Sequence, residues 1–344
     1  MGLFLVLIPP AYADDVFEDL LSDRSPVGPA VVLYTWSSSK THAVAAGTLR
    51  AGGRAARVED QFYVASVSKT YLATAILQLH ERGRLNVQDA AADYLPDRVV
   101  VGLNGMRGIT IAHLLRMRSG LADYLTDEIE ADIIEAPQGP WSPERVLSYA
   151  FDLSRAAVPG AGFDYSNTNY VLLQMILEDV SGQPMHAYLA KSVLAPSGAR
   201  AAYVHGTRPS SDRAVHGYAD LRGRGTEDVS WYYQTPMLGD GFLVTSAAEI
   251  VAFYRALLVD QTLLRPDTLA LMLRDDGRDR YGMGIEVEDD PDVGRIIGHS
   301  GGDNGFSAHV YYFEDFERIV VSLRADDSSE GSIVYDAVEV LEGH

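Results

Sequence analysis

The sequence predicts an α+β fold with one sheet assembled from the two ends of the chain and a mostly helical region inserted between them. Two observations carry this. Strand-like runs cluster before residue 50 and again after residue 280, while the middle is helical and loop-rich. Hydrophobic residues make up 47% of the 344, enough for a packed core. At about 150 residues per domain, the length suggests two lobes, or one large domain with an insertion.

The elements follow in order. Residues 29–36 (PAVVLYTW) and 41–47 (THAVAAG) read as two strands, joined as a hairpin by Ser37-Ser38-Ser39-Lys40. Residues 67–82 read as a helix with Leu72, Ala75, Ile76 and Leu79 among its apolar positions and Gly83 beyond its end. Thr110 is placed to cap a helix over 111–118, and Ser142-Pro143-Glu144 supplies a cap, a proline at the first helical position and an acid in the first turn. A helical apolar stripe covers 170–180 and stops at Ser181-Gly182. Residues 200–235 are weakly patterned and read as loops. Ser246-Ala-Ala-Glu249 has the form of a capping box and opens a helix to about 258. Strand-like runs follow at 283–288, 295–297, 306–313 and 317–324, and the chain ends in a helix from Ser332.

Composition excludes several functions. The formal charge of −20 argues against a nucleic-acid partner, which needs a basic face, and there is no run of Lys or Arg. No cysteine is present, which removes disulfides, thiol catalysis and cysteine-ligated metals. No stretch is long enough to span a membrane. An apolar run at 3–8, followed by Ala11-Tyr12-Ala13, has the form of the end of an export signal without its basic start, so 1–13 is a candidate leader and a periplasmic or secreted location is expected. Basic residues are lopsided, with 25 Arg and only three Lys (Lys40, Lys69, Lys191). The imbalance fits genome composition, and it makes any required lysine conspicuous.

Three constellations could carry chemistry. Ser66-Val67-Ser68-Lys69 is an S-x-x-K at the head of the 67–82 helix, where positions i and i+3 share a face. A serine is a poor nucleophile until a base takes its proton. A buried lysine can be that base and an arginine cannot. The Ser66 N–H, near the positive helix end, suits an oxyanion. Taken alone, the motif is equally a helix cap beside a surface lysine. Tyr165-Ser166-Asn167 follows a glycine-rich stretch and projects a phenol and an amide in one direction if extended. It is also compatible with an aromatic anchor and a helix cap. Gly298-His299-Ser300-Gly301-Gly302 matches G-x-S-x-G, yet the helix that a nucleophile elbow needs does not follow it. The alternative is a strand edge whose small residues let a substrate approach the backbone. His80 and His113 sit in helical stretches and read as structural. The acidic runs 123–135 and 286–292 read as solvated faces. No spacing suggests a metal site or a phosphate loop.

S-x-x-K, Y-x-N and an H-x-G triplet, in this order across the chain, resemble the penicillin-recognising serine hydrolases: class C β-lactamases, D-alanyl-D-alanine carboxypeptidases and related esterases. The segments 109–121 (ITIAHLLRMRSGL), 165–182 (YSNTNYVLLQMILEDVSG), 239–243 (GDGFL) and 298–306 (GHSGGDNGF) are similar to that family too, and the resemblance spans about 25–325. It implies a β-lactamase/penicillin-binding-protein-like fold with a five-stranded antiparallel sheet flanked by helices. The α/β lobe would comprise about 25–80 and 236–344, and the helical lobe about 81–235, within one catalytic domain over 14–344. It implies an acyl-enzyme on Ser66, Lys69 as base or relay, Tyr165 as general base and Asn167 on the substrate amide. His299, Ser300 and Gly301 would contact substrate, and the N–H groups of Ser66 and Gly302 would form the oxyanion hole. No cofactor or metal is implied; the partner is a small-molecule or peptide substrate with an acyl group, and the oligomeric state stays open. His299 stands where class C β-lactamases carry lysine, and an unperturbed histidine is mostly neutral at pH 7. This ranks a carboxypeptidase or D-peptidase first, a carboxylesterase next, and efficient β-lactamase activity lower; a non-catalytic binding module on the same fold ranks last, since the S-x-x-K, Y-x-N and H-x-G sets are all intact.

Overall fold

In the strand Val31–Trp36 (β1), alternate side chains enter different cores, as the period of two requires. Val32 joins a large cluster on one face of the sheet, while Val31 and Leu33 join a smaller one on the other. The structure is a computed structural model that describes residues 17–21, 28–104, 106–137, 139, 141–207, 209–231, 238–275, 279–327 and 333–342. The candidate leader 1–13 lies outside them.

The strands are β1, β2 (Thr41–Ala46), β3 (Phe62–Tyr63), β4 (Tyr203–Val204), β5 (Tyr218–Ala219), β6 (Glu227–Asp228), β7 (Leu243–Thr245), β8 (Glu286–Asp290), β9 (Gly294–Asp303), β10 (Phe306–Phe313) and β11 (Arg318–Arg324). Six of them form one sheet in the order β2-β1-β11-β10-β9-β8. Every neighbouring pair is antiparallel, and β1 against β11 joins the two ends of the chain. The expected count of five is therefore corrected to six. Residues 295–297 are part of the ten-residue β9, which runs on through His299 and Gly302, and the strand expected over 283–288 is β8, shifted to 286–290. Gly298 explains why β9 was read as broken. A Cβ there would lie 1.9 Å from the Val310 carbonyl oxygen, so glycine is needed for close strand approach rather than for a turn. A three-stranded sheet, β3-β7-β4, and the pair β5-β6 complete the strands, so the stretch read as loops holds short strands at 203–204, 218–219 and 227–228.

The helix Ser68–Glu81 (α1) lies in the large core, and all but its last two residues are buried. A helix enclosed on all sides has to satisfy its own polar groups. Thr70 Oγ1 donates to the Gly284 carbonyl at 2.8 Å, and Gln78 Nε2 donates to the carbonyls of Ser192 and Leu263 at 3.0 and 3.1 Å. The helix Ile111–Leu115 (α2) is shorter than expected but starts at Thr110 in a full capping box with His113. The helix Thr168–Ser181 (α3) packs on α1 and ends at Gly182 in the left-handed conformation. The helix Ala247–Tyr254 (α4) continues as a π-helix to Val259 and packs on β11 and β1. Its expected capping box is absent: Glu249 instead accepts from the N–H groups of Ala201 and Ala202, at 2.6 and 3.2 Å. The helix Ile333–Glu342 (α5) covers the opposite face of the sheet through Ile333, Val334, Ala337 and Val338.

Gly298→Ala should lower stability by about 1–3 kcal/mol, because β9 and β10 have to separate. Gly302→Ala, where an added Cβ meets nothing within 4 Å, should change it by less than about 0.5 kcal/mol. Urea midpoints of the two variants measure the contrast.

Candidate active site

The turn that carries Ser66 is set by its neighbours. The chain leaves β3, makes a 3-10 turn over Ala65–Val67 and enters α1. Ala65 has φ +45°, a left-handed conformation that costs a non-glycine residue on the order of 1 kcal/mol. Strand β9 presses on this turn: a Cβ on Gly301 would lie 2.5 Å from the Val64 carbonyl oxygen and 3.0 Å from the Ser66 nitrogen. Glycine at 301 therefore allows β9 to pass beside the Ser66 amide. Gly302 is exposed next to it, with open space around its α-carbon.

Lys69 sits one helical turn on from Ser66 and is 0% exposed. Its Nζ is 2.7 Å from Ser66 Oγ, 2.9 Å from Asn167 Oδ1 and 2.7 Å from the Asp240 carbonyl oxygen. The last two atoms can only accept, so two N–H groups are committed to them. Ser66 Oγ, which can also donate, is the partner with which the amine can exchange a proton. Asn167 is oriented by Asp123, whose Oδ2 accepts from Asn167 Nδ2 at 2.9 Å and from its backbone N–H at 3.2 Å. That fixes the amide oxygen toward Lys69. The 239–243 segment is held by Ser68, whose Oγ accepts from the N–H groups of Phe242 and Leu243 at 3.1 and 3.0 Å. Ser68 is thus a buried anchor, and Ser66 is the serine that faces the amine. The Asp240 carboxyl accepts from Tyr124 Oη at 2.7 Å. Burial raises its pKa, opposed by the Lys69 charge and the Tyr124 hydrogen bond.

Tyr165 joins the group by its ring, whose centroid is 5.1 Å from Lys69 Nζ. It is 38% exposed at the rim, and no hydrogen bond joins its hydroxyl to Ser66 or Lys69. Phe163 and Tyr281 pack around it, with ring centroids 6.4 and 6.3 Å away.

His299 is enclosed by the fold. It is 1% exposed, and both ring nitrogens are engaged. Nδ1 faces the Ser300 carbonyl, an acceptor, so it carries the proton. Nε2 then accepts from Tyr281 Oη at 2.9 Å. Burial lowers the His299 pKa; Glu286 opposes this and the Lys69 charge reinforces it. The imidazole thus braces Tyr281, and its burial disfavours a charge on the ring. Ser300 is likewise engaged: its N–H and Oγ donate to Glu286 Oε1 at 3.0 and 2.8 Å. Tyr311 Oη donates to Glu286 Oε2 at 2.7 Å.

Sequence reasoning missed Asp123, Tyr281 and Glu286. Asp123 and Glu286 begin stretches read as solvated acidic faces, and both are instead fixed acceptors in the site region. Tyr281 lies outside every motif. The Asp240 contribution is a backbone carbonyl, which residue type does not reveal. Among the described residues, no group of three or more His, Asp or Glu converges to hold a metal.

The family model described as Beta-lactamase matches residues 15–343. Penicillin-binding protein 4* of Bacillus subtilis (strain 168) is 27% identical over 84% of this chain, which spans 67% of that relative. The structure of a D-stereospecific amidohydrolase from Streptomyces sp. superposes with a TM-score of 0.81 at 26% identity, covering 96% of this chain and 98% of that one. That of a penicillin binding protein from Bacillus halodurans gives 0.80 at 22% identity, covering 95% and 98%.

Stability should respond to His299 with a definite sign. Its pKa is depressed in the fold, so below about pH 6.5 the unfolded chain takes up a proton that the fold resists. Stability therefore falls as pH drops from 7 to 5. His299→Gln should fall less, by up to about 1.4 kcal/mol per pH unit. Burial also lowers the pKa of His113 and His309, which are present in both proteins, so the difference in slope between the two urea series reports His299 together with its neighbour Glu286, 3.7 Å away.

Proposed function

The chain belongs to the Beta-lactamase family of serine hydrolases, and we propose that it cleaves the amide bond after a D-configured residue, as a D-peptidase or D-alanyl-D-alanine carboxypeptidase does, through an acyl-enzyme on Ser66. The observation that carries this reading is the buried Lys69 amine 2.7 Å from Ser66 Oγ, with its other hydrogens committed to Asn167 and Asp240.

Ser66 Oγ passes its proton to Lys69 Nζ as it attacks the carbonyl carbon. The Ser66 and Gly302 N–H groups stabilise the oxyanion. The proton then moves from Lys69 to the leaving nitrogen by way of the Tyr165 hydroxyl, and the C–N bond breaks. Water then attacks the ester in the reverse sense: its proton passes to the Tyr165 oxygen as the Tyr165 hydroxyl gives its own to Lys69, and Lys69 returns a proton to Ser66 Oγ as the ester C–O bond breaks. Asn167 holds Lys69 and reaches the substrate amide. The names of the relatives support this substrate class: one is a penicillin-binding protein and another a D-stereospecific amidohydrolase. A neutral, buried residue at 299 gives Tyr165 no second cation, which ranks β-lactamase turnover lower. A carboxylesterase on the same machinery is the second reading, favoured by the open edge at Gly302. A periplasmic or secreted location remains part of the proposal; among the described residues, no helix is long and apolar enough to cross a membrane.

Fluorescent penicillin should label the wild type and a D-Ala-D-Ala peptide should turn over, both lost in Ser66→Ala. Lys69→Arg should fold and lower the acylation rate by about 10²–10⁴-fold, because a guanidinium cannot accept the proton. Ester turnover without labelling or peptide cleavage would favour the esterase. Folded wild type inert in all three assays would overturn the hydrolase mechanism.

A further inference from the structure

A cavity of about 270 Å³ adjoins the site behind Tyr165. Phe163, Tyr165, Tyr281, Tyr311 and Tyr335 line it together with Glu286. Its volume suits one aminoalkyl chain and not a larger ring system. The Tyr165 ring is shared: Lys69 Nζ lies 5.1 Å from its centroid, and the same ring walls the cavity.

The charges in this cavity are unevenly compensated. Arg118 pairs with Asp279, and Arg280 pairs with Glu288. Glu286 is held only by neutral donors: the Ser300 N–H and Oγ on Oε1, and Tyr311 Oη on Oε2. The nearest basic group is His299, whose Nδ1 is 3.7 Å away and whose proton is directed at the Ser300 carbonyl. These three hydrogen bonds to its oxygens stabilise the ionised Glu286 carboxylate. The Glu286 side chain keeps 29% exposure, so a group in the cavity can reach it. A fixed carboxylate beside several aromatic faces binds ammonium groups through charge and cation–π attraction.

We propose that this cavity is the subsite for the leaving portion of the substrate and that it selects a primary ammonium on an alkyl chain over a terminal carboxylate. The assignment to the leaving side rests on the proposed mechanism, in which Tyr165 hands the proton to the leaving nitrogen. Arg280 also lines the cavity but pairs with Glu288, and Asp279 pairs with Arg118, so Glu286 is the acid there without an arginine partner and disfavours a carboxylate.

Three amides of N-acetyl-D-alanine test this, with leaving amines 1,5-diaminopentane, pentylamine and 6-aminohexanoate. On the full chain at pH 7 and low salt, kcat/KM should be at least tenfold higher for the ammonium than for the neutral amide, and lowest for the carboxylate. Glu286→Gln should cut the ammonium-to-neutral ratio to threefold or less, and 0.5 M salt should reduce it in the wild type. Because Glu286→Gln could disturb Ser300, the wild type alone supplies a second readout: pentylammonium should competitively slow hydrolysis of a nitrophenyl ester, and pentanoate at equal ionic strength should not. Equal rates on the three amides in a protein that penicillin labels and the ester acylates would overturn the subsite and leave the acyl-enzyme reading standing. A preference that persists in Glu286→Gln would also overturn it. A protein inert toward amides, ester and penicillin would overturn the mechanism, and the subsite with it.

Discussion

The rest of the site is organised around one buried amine. A lysine with no solvent contact is costly unless its hydrogens find acceptors. Lys69 finds three, and each comes from a different part of the chain: the Ser66 turn, the start of α3, and the 239–243 segment. Their convergence demands close backbone approach, and the glycines mark where. A Cβ at 301 would strike the Ser66 turn, one at 241 would lie 2.4 Å from the Tyr63 hydroxyl, and one at 239 would lie 2.2 Å from the Tyr170 carbonyl oxygen. Asp123 and Ser68 then fix the orientation of the acceptors, although neither touches the amine. The pairing of Ser66 with Lys69 is therefore a property of the whole assembly.

This explains which parts were legible in the sequence. Periodicity located β1, β2, β10, β11 and the central helices to within a few residues, because each has one buried face or is buried throughout. The reading that joined both chain ends in one sheet corresponds to the β1–β11 pairing. Helix i, i+3 geometry was sufficient to place Ser66 beside Lys69, and the scarcity of lysine pointed to the same residue. The strand edge at 298–302 and the run at 295–297 were both legible, but not that they form one strand, since Gly298, Gly301 and Gly302 carry no hydrophobic pattern to join them. Asp123 and Glu286 were not legible, because an acid that accepts fixed hydrogen bonds looks, in sequence, like one that faces water. The Ser246–Glu249 pattern misled for a related reason: Glu249 found better donors in a distant loop.

Position 299 shows how an environment changes what a residue type can do. The sequence offered a titratable ring near the nucleophile. The fold buries that ring between the Ser300 carbonyl and the Tyr281 hydroxyl, which settles its tautomer and disfavours its charge. The buried amine of Lys69 adds to this, since two cations in one dry region repel. A neutral 299 therefore follows from burial first, with the neighbouring lysine charge adding to it.

The division between rigid and open parts then carries chemical meaning. Lys69, Asn167 and His299 are locked by hydrogen bonds, whereas Tyr165 is held by rings alone and is open to solvent along its edge. A proton relay between a fixed amine and a departing nitrogen benefits from one adjustable member, because the leaving nitrogen moves as its bond breaks. A hydroxyl already bonded to Lys69 or Ser66 would have to give up that partner first. In the proposed mechanism, packing of Tyr165 against Phe163 and Tyr281 by rings alone would let the phenol follow the leaving group while its ring stays over the amine. Substrate bound beside Tyr165 would then complete the geometry that the free protein leaves unfinished, and turnover would depend on what occupies that side of the site.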